Sequence, residues 1–244
     1  MLKDLLNPMQ LRIFMESLDD VGYESVLLTY HYNQEDYFIK SAACFFKGQK
    51  TKYMIAMRPY AIAPAYFSMM INGYNQIKNN KLIINIVSGT KDEDQAIFGE
   101  VTSSVDRKKL AGDFISQLRQ INKLLPPIYF SGGSPEAISN TIEHGDGIIY
   151  LLQDHLTTPE RFDEIKGVKM LRVHLIIKDT YEEAEKVFND LDHVRQKANC
   201  IYGTKETVLK EIEKLKGFEL MVSSTKGDNS NEYINDIVRE CVTL

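Results

Sequence analysis

Short runs of Val, Ile and Leu alternate along the chain with longer stretches in which apolar residues recur every three or four positions. The first such stretch, 8–21, places Leu11, Phe14, Met15, Leu18 and Val21 on one helical face, and Gly22 suits its C-cap. Further helices are predicted over 36–47, 63–78 and 106–122, from the 131–135 turn to Gly145, and over 158–166, 180–191, 204–215 and 231–241. Thr180 suits an N-cap, with Glu183 three residues on. Strands are predicted at 25–30, 52–58, 82–87, 128–130, 147–152, 171–177 and 218–222. The run Leu-Ile-Ile-Asn-Ile-Val (82–87) is the most continuous of them.

Strands that are apolar throughout, rather than alternating, are buried on both faces. Interleaved with amphipathic helices, they imply a parallel sheet covered by helices. No linker or shift in composition divides residues 1–244, so a single domain is expected. With seven strands, a (β/α)8 barrel is favoured over an open sheet. Few residues precede the first helix, which leaves strand one of such a barrel missing, very short or irregular.

Composition narrows the function classes. The 244 residues are 43% hydrophobic and 26% charged, ordinary for a globular domain. A net charge of −5 argues against a nucleic-acid surface. Cys44, Cys200 and Cys241 are odd in number and far apart, which signals neither a disulfide framework nor a zinc site. No His and carboxylate set has a metal spacing, so no metal is expected. No signal peptide or membrane span is visible, and a cytoplasmic location is expected.

Ligands of parallel α/β proteins bind beyond the carboxyl ends of the strands. Ser131-Gly132-Gly133-Ser134-Pro135 lies at such an end; it suits either a phosphate cradle at a helix N-terminus or a plain tight turn. Asn85, polar within an apolar strand and followed by Ser88-Gly89, needs partners if buried, from a ligand or from a neighbouring strand. Arg172 and His174 share one face of the 171–177 strand, opposite Val173 and Leu175. That cation pair suits an anionic ligand or proton transfer, or else satisfies structural carboxylates. His31 with Glu35-Asp36 is weaker, His144 reads as a helix cap, His155 and His193 as exposed, and Cys44 as a core residue.

Taken in order, several segments resemble the bacterial luciferase-like, flavin-dependent monooxygenases, closest to their alkanesulfonate branch. They are Arg58-Pro59, Pro64, the 82–89 run, Asp106-Arg107 with Asp113-Phe114, and Pro127 to Pro135. Beyond these come His144-Gly-Asp-Gly, Leu171-Arg-Val-His-Leu-Ile-Ile-Lys-Asp-Thr180 with Glu182, Glu183 and Ala184, and Tyr202-Gly-Thr with Val208. The resemblance implies a barrel, usually oligomeric, that takes reduced FMN from a separate flavin reductase and oxygenates a small organic substrate with O2. It implies that Asn85 and Ser88 contact the flavin, that Gly133 and Ser134 hold the phosphate, and that Arg172 and His174 line the substrate side as catalytic residues. Lys108 stands where the family has a flavin-contacting Tyr and would meet the phosphate as a point charge. Ser104, Gln34 and Thr225 replace the family's nearby His, active-site Cys and late Tyr, and the insertion that closes the site is reduced. Two alternatives therefore stay open: a flavin-binding relative without turnover, and a deazaflavin-dependent oxidoreductase on the same scaffold.

Overall fold

The apolar runs form parallel strands. A computed structural model of the chain describes residues 8–30, 36–44, 49–77, 80–89, 103–192, 194–224 and 230–242. These divide into two compact units, one built from residues 2–148 and 164–167, the other from 149–163 and 168–244.

In the first unit, strands β1 (Ser25–Leu28), β2 (Lys52–Met57), β3 (Leu82–Ile86) and β4 (Ile128–Ser131) pair in parallel and in chain order. Helices α1 (Pro8–Val21), α2 (Tyr37–Ala43), α3 (Pro64–Ile77), α4 (Ser104–Ile121) and α5 (Pro135–His144) alternate with them. Alternate strand residues face the helices: Leu82, Ile84, Ile86, Ile128 and Phe130 join Phe67, Ile71, Phe114, Ile115 and Leu118 in one buried cluster. Each such side chain contributes about 1.5–3 kcal/mol by leaving water. The opposite parity, Met54, Ala56, Ile83, Asn85 and Tyr129, is buried as well, which is why these strands read as unbroken apolar runs.

Local chemistry fixes the helix ends. The Asp36 carboxylate accepts from the Phe38 and Ile39 amides, and the Ser103 hydroxyl accepts from the Asp106 amide. Gly22 ends α1 at φ 100°, as its position in the sequence suggested. The 36–47 helix is shorter than expected, stopping at Ala43, and residues 45–48 lie outside the described set. Gly167 is held against the Asp146 backbone, where a Cβ would overlap the Asp146 carbonyl. Gly167→Ala should therefore destabilise the fold by about 2 kcal/mol, the typical cost of overpacking, read as a lower urea midpoint. An unchanged midpoint would mean that this close approach is absent in solution.

Strand β5 (Gly147–Leu151) leads into the second unit, which contains α6 (Leu152–Thr157), a 3-10 turn at Pro159–Phe162 and β6 (Val168–Ile177). It continues with α7 (Tyr181–Asn189), α8 (Val194–Lys197), β7 (Cys200–Gly203), α9 (Lys205–Glu213), β8 (Glu219–Ser224) and α10 (Ser230–Val242). The Thr180–Glu183 capping box forms as expected. Two expectations are corrected. The 158–166 helix is absent; Pro159 disfavours helical backbone at Thr158, and two short helical pieces form on either side of that break. The connecting stretch before 204 holds β7, the strand that raises the described count to eight.

Both β7 and β8 pair in parallel with β6. His174 and Leu175 are matched to Cys200 and Ile201 on one edge and to Ser223 and Ser224 on the other, so β6 lies between the two. In a sequential barrel the last strand would pair with β7; here it pairs with β6. The fold class is a parallel eight-stranded α/β sheet of (β/α)8 type.

Candidate functional site

In the first unit, the sequence-selected polar residues gather at the carboxyl ends of β3 and β4. Asn85 is 2% exposed and is matched to Tyr129 in the sheet register. Strand alternation puts Ser131 on the same face as Tyr129, and the Ser131 hydroxyl donates to Asn85 Oδ1 at 2.7 Å. A neighbouring strand thus supplies one of the partners that a buried amide needs. Because that bond uses the carbonyl oxygen, it turns the amide NH2 the other way. Ser88, Lys108 and Ser131 line a shallow crevice with Ile86, Ala111, Phe130, Ala137 and Asn140. The crevice is tied together by Asn140 Nδ2 donating to the Lys108 carbonyl at 2.7 Å and by Arg107 Nε donating to the Ser88 carbonyl at 3.0 Å.

The 131–135 segment is a turn with a cap. Gly132 takes φ 118°, a conformation that side chains rarely adopt. Ser134 caps α5 by accepting from the Ala137 amide, with Pro135 at the first helical position. Glu136 follows in the first turn, and Lys108 Nζ lies 3.1 Å from its Oε2. Its own backbone N–H, Lys108 and the Ser134 hydroxyl hold the Glu136 carboxyl below the ordinary carboxylate range. An anion therefore already stands at this helix N-terminus, supplied by the chain itself. Neither Glu136 nor Asn140 stood out in the sequence, since a Glu in a first helical turn is common.

In the second unit, β6 carries Arg172 and His174 on one face, with Val173 and Leu175 fully buried on the other. Arg172 is exposed and His174 half-buried. His174 Nδ1 lies 2.8 Å from the Ser223 hydroxyl, directly across in the β6–β8 register. Burial, and next the charge of Arg172, push the His174 pKa below its ordinary 6.5, so the ring is neutral at pH 7. Crowding by surrounding protein, then Arg195, lowers the Arg172 pKa too. Ser223 was missed in the sequence because it becomes a partner of His174 only through the unforeseen β6–β8 pairing.

The remaining candidates resolve simply. His155 is half-buried rather than exposed, with its ring edge-on to Phe218 at 4.6 Å. The His144 carbonyl accepts two hydrogen bonds from Arg119, at 3.0 and 2.8 Å. Cys44 is buried as expected, but at the C-cap of α2 rather than within the helix. His31, Gln34, Glu35, His193 and Thr225 lie outside the described residues, as do the side chains of Ser104 and Cys241. Among the described residues, no group of three His, Cys, Asp or Glu is placed to hold a metal. None of their helices is long and apolar enough to cross a membrane.

No protein-family model matches the sequence. Solved structures do match the fold. An EDTA monooxygenase from Chelativorans sp. BNC1 superposes with a TM-score of 0.78 at 11% identity, over 95% of this chain and 85% of that one. An F420-dependent secondary alcohol dehydrogenase, in complex with an F420–acetone adduct, gives 0.73 at 17% identity over 96% and 93%. The oxygenating constituent of 3,6-diketocamphane monooxygenase from Pseudomonas putida, in complex with FMN, gives 0.69 at 13% identity over 93% and 89%. Across nearly its whole length, this chain has the (β/α)8-type fold that these proteins share.

Proposed function

We propose that the protein is a luciferase-like, flavin-dependent oxidoreductase, and specifically a two-component monooxygenase that uses reduced FMN and O2 on a small organic substrate. The observation that carries this reading is the end-to-end likeness to monooxygenases, one of them holding FMN, in a chain whose own segments resemble, in order, those of the luciferase-like family. When bound, the flavin supplies the oxygen chemistry; the protein's part is to bind, orient and exclude water.

The first unit's residues fit the ring side of such a group. The buried Asn85 amide is held by Ser131 through its carbonyl oxygen, and Ser88 and Ser131 line the crevice. The phosphate side fits in kind, through Gly133, Ser134 and Lys108, with Glu136 as an internal competitor for the last two. On the second unit, Arg172 would hold an anionic substrate group. A neutral His174 would accept a proton at one ring nitrogen while Ser223 fixes the other.

Anaerobic titration with reduced FMN, followed by flavin fluorescence, tests the reading. Saturable binding at micromolar concentration is expected. Glu136→Gln should tighten it on the order of tenfold by removing one partly screened negative charge beside the phosphate. No binding of FMN in either redox state would overturn the FMN assignment.

The likeness to the F420-dependent dehydrogenase favours a second reading, a deazaflavin-dependent oxidoreductase. Binding of F420 in place of FMN would select it. Binding of FMN without oxygenation, in the presence of a flavin reductase, would select a relative without turnover.

A further inference from the structure

Arg58 stands at the carboxyl end of β2, one residue past the strand and immediately before Pro59. Its backbone is still extended, at φ −107° and ψ 117°. The Val87 amide donates to the Met57 carbonyl at 3.0 Å, so the parallel ladder between β2 and β3 runs on to Arg58 and Val87. Strand alternation therefore applies to Arg58. Tyr53, Ile55 and Met57 belong to the cluster packed on the helices, which puts Met54, Ala56 and Arg58 on the opposite face.

That face is the one that carries Asn85. Ala56 is matched to Asn85 in the β2–β3 register, and Ser131 on β4 bonds to Asn85 across the next pair of strands. Arg58 thus lies two residues along β2 from the Asn85 row, about 8 Å away between Cα atoms at the usual strand rise and spacing. Three adjacent strands bring a guanidinium, an amide and a hydroxyl to one face, at the end of the sheet where ligands of such folds bind.

The guanidinium is fixed in that place. It lies over the Tyr30 ring, 5.3 Å from the centroid, and its Nη1 donates to the Tyr60 hydroxyl at 2.9 Å. Pro59 starts a 3-10 turn over Pro59–Ala61, closed by the Ala61 amide donating to the Arg58 carbonyl at 3.0 Å, and this turn returns Tyr60 to the arginine. Burial pushes the Tyr30 phenol above its ordinary 10, while the Arg58 charge pulls against that; the phenol stays protonated at pH 7. Arg58 itself keeps its proton throughout the pH range of folded proteins.

Such a charge treats the two redox states of a flavin differently. The oxidised ring is neutral, whereas the reduced ring loses a proton near neutral pH and spreads the negative charge over its N1 and C2 carbonyl edge. Hydrogen bonds from an amide serve both states; a fixed cation favours the anionic one. Resting on the flavin reading above, we propose that Arg58 is a specificity-determining residue of the same site, holding the anionic edge of the reduced ring and setting the preference for it over the oxidised ring.

Anaerobic titration of the full chain with oxidised and with reduced FMN, at mildly alkaline pH, gives the ratio of the two dissociation constants. Arg58→Gln should raise the constant for reduced FMN about tenfold and that for oxidised FMN by less than about twofold, the scale of one partly screened charge. The midpoint potential of the bound flavin should fall with it by about 30 mV, the equivalent of tenfold for a two-electron couple. Arg58→Lys keeps the charge and should hold the ratio within about threefold of the unmodified protein. Tyr60→Phe removes a partner of the guanidinium and should lower the preference for reduced FMN about threefold; it serves if Arg58→Gln does not fold by circular dichroism. Equal losses for both redox states in Arg58→Gln, or a lysine variant that behaves like the glutamine one, would overturn this assignment alone. Where Arg58→Gln does not fold, an unchanged ratio in Tyr60→Phe would do the same. No binding of FMN in either state by the unmodified protein would overturn the flavin reading and this assignment with it.

Discussion

Alanine at His174 is expected to lower turnover with reduced FMN and O2 by roughly 10²–10⁴-fold, the range for removing a positioned acid–base group, and alanine at Arg172 to weaken the hold on an anionic substrate group. The two losses should differ in kind. Burial and the Arg172 charge together keep the His174 pKa below 6.5, so Arg172→Ala removes one of the two causes. The His174 pKa should then rise toward 6.5, and the acid limb of the pH–rate profile should move to higher pH with it. Proton NMR of the His174 ring follows the same shift without any cofactor. Ser223→Ala should also move that titration while leaving the strand pairing intact, because the 2.8 Å contact to Nδ1 is a side-chain one. Full activity in both alanine variants would return Arg172 and His174 to a structural role.

The extent to which the structure was legible in the sequence follows from how local each signal is. Strands β2 to β5 are announced by apolar runs because both of their faces are buried, and the runs of β2, β3 and β4 stop at Pro59, Ser88 and Ser131. The capping box of α7 was equally legible, since Thr180 and Glu183 stand only three residues apart. Strand β7 was not: four residues, two of them only half-buried, carry too little periodicity to register. The pairing of β8 with β6 was also hidden, because register is a relation between segments some 50 residues apart. For the candidate site, the sequence picked out Asn85 and the Ser131 turn but could not show that they bond to each other. Nor could it show that Glu136 competes for Lys108. Those facts depend on where α4 and α5 converge on the strand ends.

That convergence rests on Arg107, and its replacement by alanine is expected to cost about 4 kcal/mol. Arg107 is among the largest fully enclosed side chains, 2% exposed, and its Nε donates to the Ser88 carbonyl at 3.0 Å, 19 residues away along the chain. Truncation would leave a cavity, worth about 2–5 kcal/mol for large side chains, and a carbonyl without this donor, worth about 1–3 kcal/mol; partial collapse keeps the total below their sum. Arg107→Lys should recover only part of the loss, since an ammonium lacks the planar fork that holds its place. Urea denaturation measures the stability directly. Because Ser88 lines the crevice, flavin affinity should fall in the same variants well before the fold is lost, so a titration below the denaturation range separates the local effect from the global one. A destabilisation under about 1 kcal/mol, the scale of an ordinary surface change, would mean that the guanidinium is not enclosed in solution. The link between α4 and the end of β3 would then have to be carried by the other residues of the crevice.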